Sequence, residues 1–359
     1  MQNNHPMNAE PLLTRPATVA VILVNWNGWP DAVECISSVL EQSHAGLHVF
    51  LVDNDSRDQS VENICGWCAK PAAVAQWRDH DGVVRITDRS TGAIAVRVVE
   101  YSGQVLPPPP PGCRVTVIRS GGNRGFAGGC NVGMRAAGVG KFDFFWLLNP
   151  DTVVHRDALA ALVRRAQASE RIGLVGSTVR YYHRPDIIEA LGGARMQGTT
   201  LMTRQIGQGL RFDATPTDAA GVERDMTYVA GASMLVSNTF VREVGLMQED
   251  YFLYFEELDW AMRGRDKFAW GYAPDSQVFH KSGASSSKVL PVFTANLYYR
   301  NRIRFAARFF PSQLPRVKRG LAVEFLRHVA RRRWTHARIV AAALWNAGKM
   351  VAQMRASAA

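Results

Sequence analysis

The sequence predicts an α/β fold: an open, mostly parallel sheet with helices on both faces. Three observations carry this. Residues Val19 to Val24 form an unbroken apolar, β-branched run, as expected of a strand buried on both faces. Val33, Ile36, Val39 and Leu40 then recur at helical spacing within Asp31 to Glu41. Further apolar runs at His48 to Val52, Val115 to Ile118 and Phe144 to Leu148 each end in a polar or glycine-rich cluster. Strands alternating with helices imply a doubly wound core. In such sheets ligands bind beyond the carboxyl ends of the strands, so these clusters are expected to converge on one cleft.

A chain of 359 residues suits one large α/β domain with an appendage. With 47% hydrophobic and 20% charged residues it is a core-forming protein, neither disordered nor fibrous. No charge-free apolar window reaches the roughly 18 residues of a spanning helix. Met1 to Pro16 lacks the apolar stretch of a signal peptide, and residues 1–17 are expected to form a flexible N-terminus. The net charge of +11 is unevenly placed: Arg300 to Ala359 hold 14 Lys and Arg against one acidic residue, Glu324. The body is therefore nearly neutral, and the tail is suited to an anionic surface. Five scattered cysteines argue against a secreted disulfide framework. Cys65 and Cys68 form a lone C-x-x-C with no second pair for zinc, leaving a redox pair or two reduced thiols.

Between the second and third strands lies an insertion, residues 66–112. Val83 to Thr87 and Ile94 to Tyr101 read as the two strands of a β-hairpin projecting from the domain. Pro107 to Pro111 then form a stiff connector back to the core.

Five clusters have the residue types for chemistry. Asp53-Asn54-Asp55-Ser56 places carboxylates at a strand end, where they can accept from a ribose hydroxyl or base N–H, or simply make a turn. Gly121 to Asn131 has five glycines, which permit close backbone approach to a ligand. Its spacing is neither G-x-G-x-x-G nor a P-loop, so the common dinucleotide and nucleoside-triphosphate readings fail. Asp151 in Asn149-Pro150-Asp151 follows a buried strand, and one carboxylate plus two substrate phosphates can hold Mg²⁺ or Mn²⁺. The plain alternative is a helix N-cap. In Glu256-Glu257-Leu258-Asp259-Trp260, a carboxylate against apolar walls can have a raised pKa and act as a general base. Asp259 and Arg263 are spaced to pair on a helix, which leaves Glu256 and Glu257 as base candidates. His280 gains meaning only in combination with an acidic cation site.

Taken in order, VILVNWNG, LVDNDSRDQS, GGNRGFAGGCNVG, WLLNPDTVV, YVAGASMLV, YFLYFEELDWAMR and VFHKSGAS resemble the family 2 glycosyltransferases of GT-A fold, and among them the bacterial rhamnosyltransferase-like enzymes of surface polysaccharide assembly. The resemblance covers about Val19 to Ser286 and implies a catalytic domain over residues 18–290. It implies that Asn25, Asn27, Asp53 and Asp55 surround the nucleotide, and that Asn123, Gly128 and Asn131 hold the nucleoside and donor. Asp151 matches the last Asp of the family's D-x-D metal motif, with Asn149 at its first position, and His280 matches a histidine that completes the metal or diphosphate site. Glu256-Glu257 matches the family's E-D pair, whose second member is the base, here one methylene longer. Gly231 and Ala232, with Asp259 and Trp260, are placed on the acceptor side. The implied activity is metal-dependent, inverting transfer from a nucleotide sugar, first dTDP-rhamnose, to a saccharide or lipid-linked acceptor.

The tail, residues 291–359, mixes arginines with aromatics, as in Arg331-Arg332-Arg333-Trp334, and reads as interfacial helices on an anionic membrane. The alternative there is a solvated basic hairpin packed on the catalytic domain. The expected location is cytoplasmic, peripheral on the inner face of the plasma membrane, with no nucleic-acid partner. The competing function is a non-catalytic binding protein of the same scaffold that uses its basic tail for nucleic acid or membrane.

Overall fold

The computed structural model describes residues 15–70, 74–78, 84–88, 92–198, 200–215, 218–281 and 291–356. The N-terminal residues 1–14, and Ser282 to Ser286 of the last motif, lie outside the described residues.

The chain runs β1 (Val19–Asn25), α1 (Trp29–Leu40), β2 (Leu47–Asp53), α2 (Ser60–Ala69), β3 (Val74–Arg78), β4 (Val84–Asp88), β5 (Ala95–Glu100), β6 (Cys113–Arg119), α3 (Gly125–Ala137), β7 (Phe144–Leu148), β8 (Thr152–Val154) and α4 (Ala158–Gln167). There follow β9 (Ile172–Tyr181), β10 (Arg184–Leu191), β11 (Gly193–Gln197), β12 (Met202–Gln205), α5 (Ala219–Asp225), β13 (Tyr228–Val229), β14 (Ser233–Ser237) and α6 (Asn238–Val244). The last elements are α7 (Glu256–Gly264), β15 (Ala269–His280), α8 (Val292–Phe309), α9 (Leu314–Ala330) and α10 (Trp334–Ala356).

Among the described residues ten strands form the main sheet, in the order β5-β6-β2-β1-β7-β14-β9-β15-β8, with β10 added on β9. From β5 to β7 every neighbour is parallel, and β14 runs antiparallel to both β7 and β9. β1 is fully covered, which is why its residues are uniformly apolar: Val19, Val21 and Leu23 face one core with α1 and α4, while Ala20 and Ile22 face the other with α3.

The insertion differs from expectation. β4 does pair in a hairpin, but with β3, in the register Val74↔Asp88 to Arg78↔Val84. Ala95–Glu100 instead extends the main sheet, parallel to β6, and Val96 and Val99 pack on the two opposite cores. The apolar alternation read as a hairpin arm belongs to an edge strand, whose cover of β6 stabilises more than a free ribbon would. All five cysteines are free thiols.

The helical C-terminal region is folded onto the body. α8 contributes Tyr299, Ile303 and Phe305 to a third core shared with Tyr251, Phe255 and Leu258, and α9 and α10 add Val317, Leu321 and Val340. Arg302, 1% exposed, donates to Glu324 of α9 at 2.8 Å and to the Thr200 carbonyl at 2.7 Å, so it is a paired buried charge.

Excising residues 74–88 is expected to leave one cooperative unfolding transition, with the melting temperature shifted by only about 2–4 °C, the equivalent of ~1 kcal/mol. Excising residues 82–105 removes β5 and is expected to cost several times as much. Differential scanning calorimetry separates the two outcomes.

Candidate active site

The ends of β1 and β2 are stitched together. Asn25, fully buried, donates to Asp53 at 3.1 Å and to the Ser56 hydroxyl at 3.2 Å. The second Asp53 oxygen accepts from the Ser56 backbone N–H at 3.1 Å. Asn27 accepts from the Arg57 N–H at 2.7 Å. Both Asp53 oxygens are thus engaged in shaping the loop, while Asn27 and Asp55 are exposed at its rim, each with positive φ. Asn54 reaches across to the Gly125 carbonyl at 2.9 Å, which brings the ends of β2 and β6 together.

The glycine-rich segment is mostly helix, a correction to its reading as a ligand loop. A Cβ at Gly129 would sit 2.5 Å from Val24, and one at Gly133 would sit 2.5 Å from Ile22. These glycines let α3 lie directly on β1. Gly128 is likewise a packing position, where a Cβ would lie 2.6 Å from the Arg124 Cβ. Asn131 is fully buried; it donates to the Met247 carbonyl and to Glu249, both at 2.9 Å, and accepts from the Met247 N–H. It is therefore a tie between α3 and the 247–249 segment, not a donor-facing side chain. Asn123 is exposed and caps the turn through the Gly125 N–H.

Past β7, Asn149, Asp151 and His280 meet. His280 Nε2 lies 3.2 Å from Asp151 and 3.4 Å from the Asn149 amide. Its Nδ1 lies 3.0 Å from Glu189 on β10, a partner that nothing in the local sequence signals because β10 is distant along the chain. Burial alone would lower the imidazole pKa, but the two carboxylates outweigh it and hold His280 up at about 10. Burial works against ionised Asp151 too, yet His280 and then Lys281 keep its pKa below the usual value. Lys281 is itself seated between Asp31 and Glu34 at 2.6 and 2.8 Å. Among the described residues no three His, Cys, Asp or Glu side chains form a ready-made metal cage. The Asp151 carboxylate and the Asn149 amide oxygen suit a divalent cation whose remaining positions come from a diphosphate, whereas His280, held as an imidazolium between Asp151 and Glu189, could ligate it only after losing a proton.

The acidic cluster starts α7 and follows a strained loop. Phe252, Tyr254 and Phe255 have φ of 63°, 69° and 76°, in the left-handed region at about 1–3 kcal/mol each. The fully buried Asn301 amide of α8 holds this loop by donating to the carbonyls of Tyr251, Leu253 and Tyr254 at 2.7, 2.9 and 3.0 Å. Glu256 and Glu257 emerge from it into a cavity of about 280 Å³ also lined by Asn149, His280, Glu189, Gly231 and Tyr298. Burial raises the Glu257 pKa to about 7, and burial with the neighbouring Glu257 raises that of Glu256 well above the usual carboxylate range.

The sequence model described as Glycosyltransferase like family 2 matches residues 71–298, more than half of the chain, and that of Glycosyl transferase family 2 matches residues 20–74. The chain belongs to the family 2 glycosyltransferases. A relative, the low-salt glycan biosynthesis hexosyltransferase Agl10 of Haloferax volcanii, is 23% identical over 208 residues, 56% of this glycosyltransferase; the match spans 63% of the relative's own length. Among solved structures, the mannosyltransferase PcManGT from Pyrobaculum calidifontis, in complex with GDP-Man and Mn²⁺, superposes with a TM-score of 0.50 at 14% identity, covering 96% of this chain and 80% of that one. S. aureus TarS 1-349 gives a TM-score of 0.44 at 10% identity, over 81% of this chain and 64% of that one. The Pyrobaculum likeness is one of fold, and the fold is GT-A.

Two residues of the glycosyltransferase expected on the acceptor side are structural. Asp259 is fully buried and accepts from Arg263 at 2.9 Å, Arg308 at 3.0 Å and the Tyr251 hydroxyl at 3.0 Å. Trp260 is fully buried against Phe240 and donates to the Gly245 carbonyl at 2.8 Å. Both are buried, and neither lines the cavity that Glu257 enters. Gly231 and Ala232 do line the cavity, and the Ala232 carbonyl accepts from the Asn149 N–H at 3.1 Å. A Cβ on Gly231 would sit 2.1 Å from Glu257 Oε1. Gly231→Ala is therefore expected to displace the carboxylate and cut turnover by about 10²-fold while thermal unfolding stays near wild type, as steady-state kinetics beside a melting curve would read.

Proposed function

We propose that the protein is an inverting, cation-assisted glycosyltransferase. It moves a sugar from a nucleotide-diphosphate donor to a hydroxyl of a saccharide or lipid-linked acceptor in bacterial surface polysaccharide assembly, and dTDP-rhamnose is the first donor to test. The observation that carries this reading is Glu257: a carboxylate with raised pKa that opens into a cavity whose wall also holds Asn149 and His280. The hexosyltransferase named among the relatives belongs to the same broad reaction class.

Asp151 and Asn149 would hold the cation, with His280 joining them if metal binding displaces its proton, and the cation would neutralise charge growing on the diphosphate leaving group. Glu257 takes the proton from the acceptor hydroxyl, whose oxygen attacks the anomeric carbon in line from the face opposite the nucleotide. The configuration inverts, with no covalent sugar–enzyme intermediate. Gly231 leaves room for the Glu257 carboxylate, and burial together with Glu257 pushes the Glu256 pKa up, which disfavours two adjacent charges. The aromatic walls from Phe126, Tyr254 and Tyr298 exclude water that would otherwise compete with the acceptor.

Glu257→Gln is expected to bind donor almost normally and lose about 10²–10⁴ in turnover; a dead Glu256→Gln beside an active Glu257→Gln would reassign the base. The pH profile follows with a definite sign. A base is active when ionised, so the wild-type rate should rise about tenfold per pH unit below a midpoint near 7 and level off above it. Glu257→Gln should flatten that limb.

Asp151→Ala is expected to abolish transfer while circular dichroism stays unchanged. Exhaustive EDTA treatment of wild type should do the same, reversibly with Mn²⁺ or Mg²⁺. Near-normal activity after either change would remove the cation from the reaction.

A further inference from the structure

The outward faces of α9 and α10 carry a surface that neither the fold nor glycosyl transfer uses. Their inward sides are occupied: Val317, Leu321, Val340 and Ala347 are buried in the core shared with α8. Facing out, Arg316, Arg319, Val323 and Leu326 follow one another three and four residues apart along α9, and so share a face. Val323 is 46% and Leu326 62% exposed. On α10, Trp334, Arg338, Trp345 and Lys349 repeat the pattern, with Trp345 88% exposed. Single exposed apolar residues need no explanation, but rows of them set among cations on two successive helices do.

The charge of this surface is one-sided. Residues 314–356 contain ten Lys and Arg and one acidic residue, Glu324, which is engaged by Arg302. Among the described residues, no carboxylate pairs with Arg331, Arg332 or Arg333 in the α9–α10 turn. An apolar row flanked by cations matches an anionic lipid interface: Leu and Trp enter the boundary between headgroups and acyl chains, and Arg and Lys meet lipid phosphates. Among the described residues no helix is long and apolar enough to cross a membrane.

The position of the bundle gives this contact a consequence. Val292 at the start of α8 lines a cavity of about 360 Å³ together with Arg332, Arg333, Trp334 and His336. Tyr298, six residues further along α8 and so about 9 Å away at 1.5 Å per residue, lines the cavity that holds Glu257. We infer that the outward α9–α10 face seats the protein on an anionic phospholipid bilayer, with the α8 wall of the Glu257 cavity beside the lipid surface, where a lipid-linked acceptor would present its sugar. This deepens the glycosyl-transfer reading by choosing the lipid-linked acceptor, and it rests on that reading only for the identity of the cavity.

The test is co-sedimentation of the full chain with vesicles, a readout that needs neither donor nor acceptor. The protein is expected to bind phosphatidylcholine vesicles containing about 30 mol% phosphatidylglycerol, and to lose at least about tenfold in affinity without the anionic lipid or at about 0.5 M salt. Leu326→Ser and Trp345→Ser are each expected to weaken binding by about tenfold, whereas Met202→Ser, an exposed position on β12, leaves it unchanged. The altered side chains are exposed, and circular dichroism would verify that each variant is folded. Absent vesicle binding, or binding that survives both helix substitutions, would overturn the inference. So would tight binding to single-stranded DNA, insensitive to Leu326→Ser and Trp345→Ser, beside weak binding to vesicles. None of these results bears on Glu257, whose own kinetic test stands apart.

Discussion

The Asn301 amide holds in place the loop from which Glu256 and Glu257 enter the cavity. Unfavourable backbone at three residues, Phe252, Tyr254 and Phe255, swings the chain so that α7 begins with two glutamates lining the cavity. Left-handed φ at bulky aromatic residues persists only where surrounding contacts over-determine it. Here one buried side chain donates to three of the loop's carbonyls, and the Phe252 carbonyl accepts from the Phe126 N–H at 2.7 Å. The loop is thereby fixed from both sides, by α8 and by the start of α3.

Charge burial follows the same division of labour. Asp259, one turn of helix from Glu256, accepts from two arginines and a tyrosine hydroxyl. Glu256 and Glu257 have no such cations among the described residues, so burial outweighs the backbone hydrogen bonds that oppose it and favours the protonated form. Three carboxylates within four residues thus divide by their partners: Asp259 is tied to two arginines and a tyrosine, and the two glutamates line the cavity.

The sequence made the sheet legible because β1, β2, β6 and β7 are short apolar runs with distinctive ends. Of the residues singled out from the sequence, the structure brings Asn149, Asp151 and His280 together and lines one cavity with Asn149, His280, Glu257 and Gly231. Local pattern failed where a residue's meaning depends on a partner far along the chain. The glycines of α3 read as a ligand loop, because nothing local says that Val24 and Ile22 lie against them. β5 read as a hairpin arm, because parallel pairing with β6 leaves no turn signal. Glu189 and Asn301 went unread for the same reason: a lone Glu on a strand and a lone Asn in an arginine-rich helix carry no local pattern. Trp260 followed the glutamates in a motif and was grouped with them, although it packs against Phe240 in the core, a partner that nothing local signals.

The strap formed by Asn301 also decides what counts as one evolutionary and engineering unit. The motif-bearing segment ends near His280, and a boundary drawn there looks natural from sequence. Yet the side chain that maintains the glutamate loop lies beyond it, on a helix whose other residues fill the core beneath that loop. A chimera that grafts the motif segment of one relative onto the C-terminal helices of another would keep every acidic residue and still mismatch the clamp. Exchange between relatives should therefore carry α8 with the catalytic half, and place the junction after Phe310.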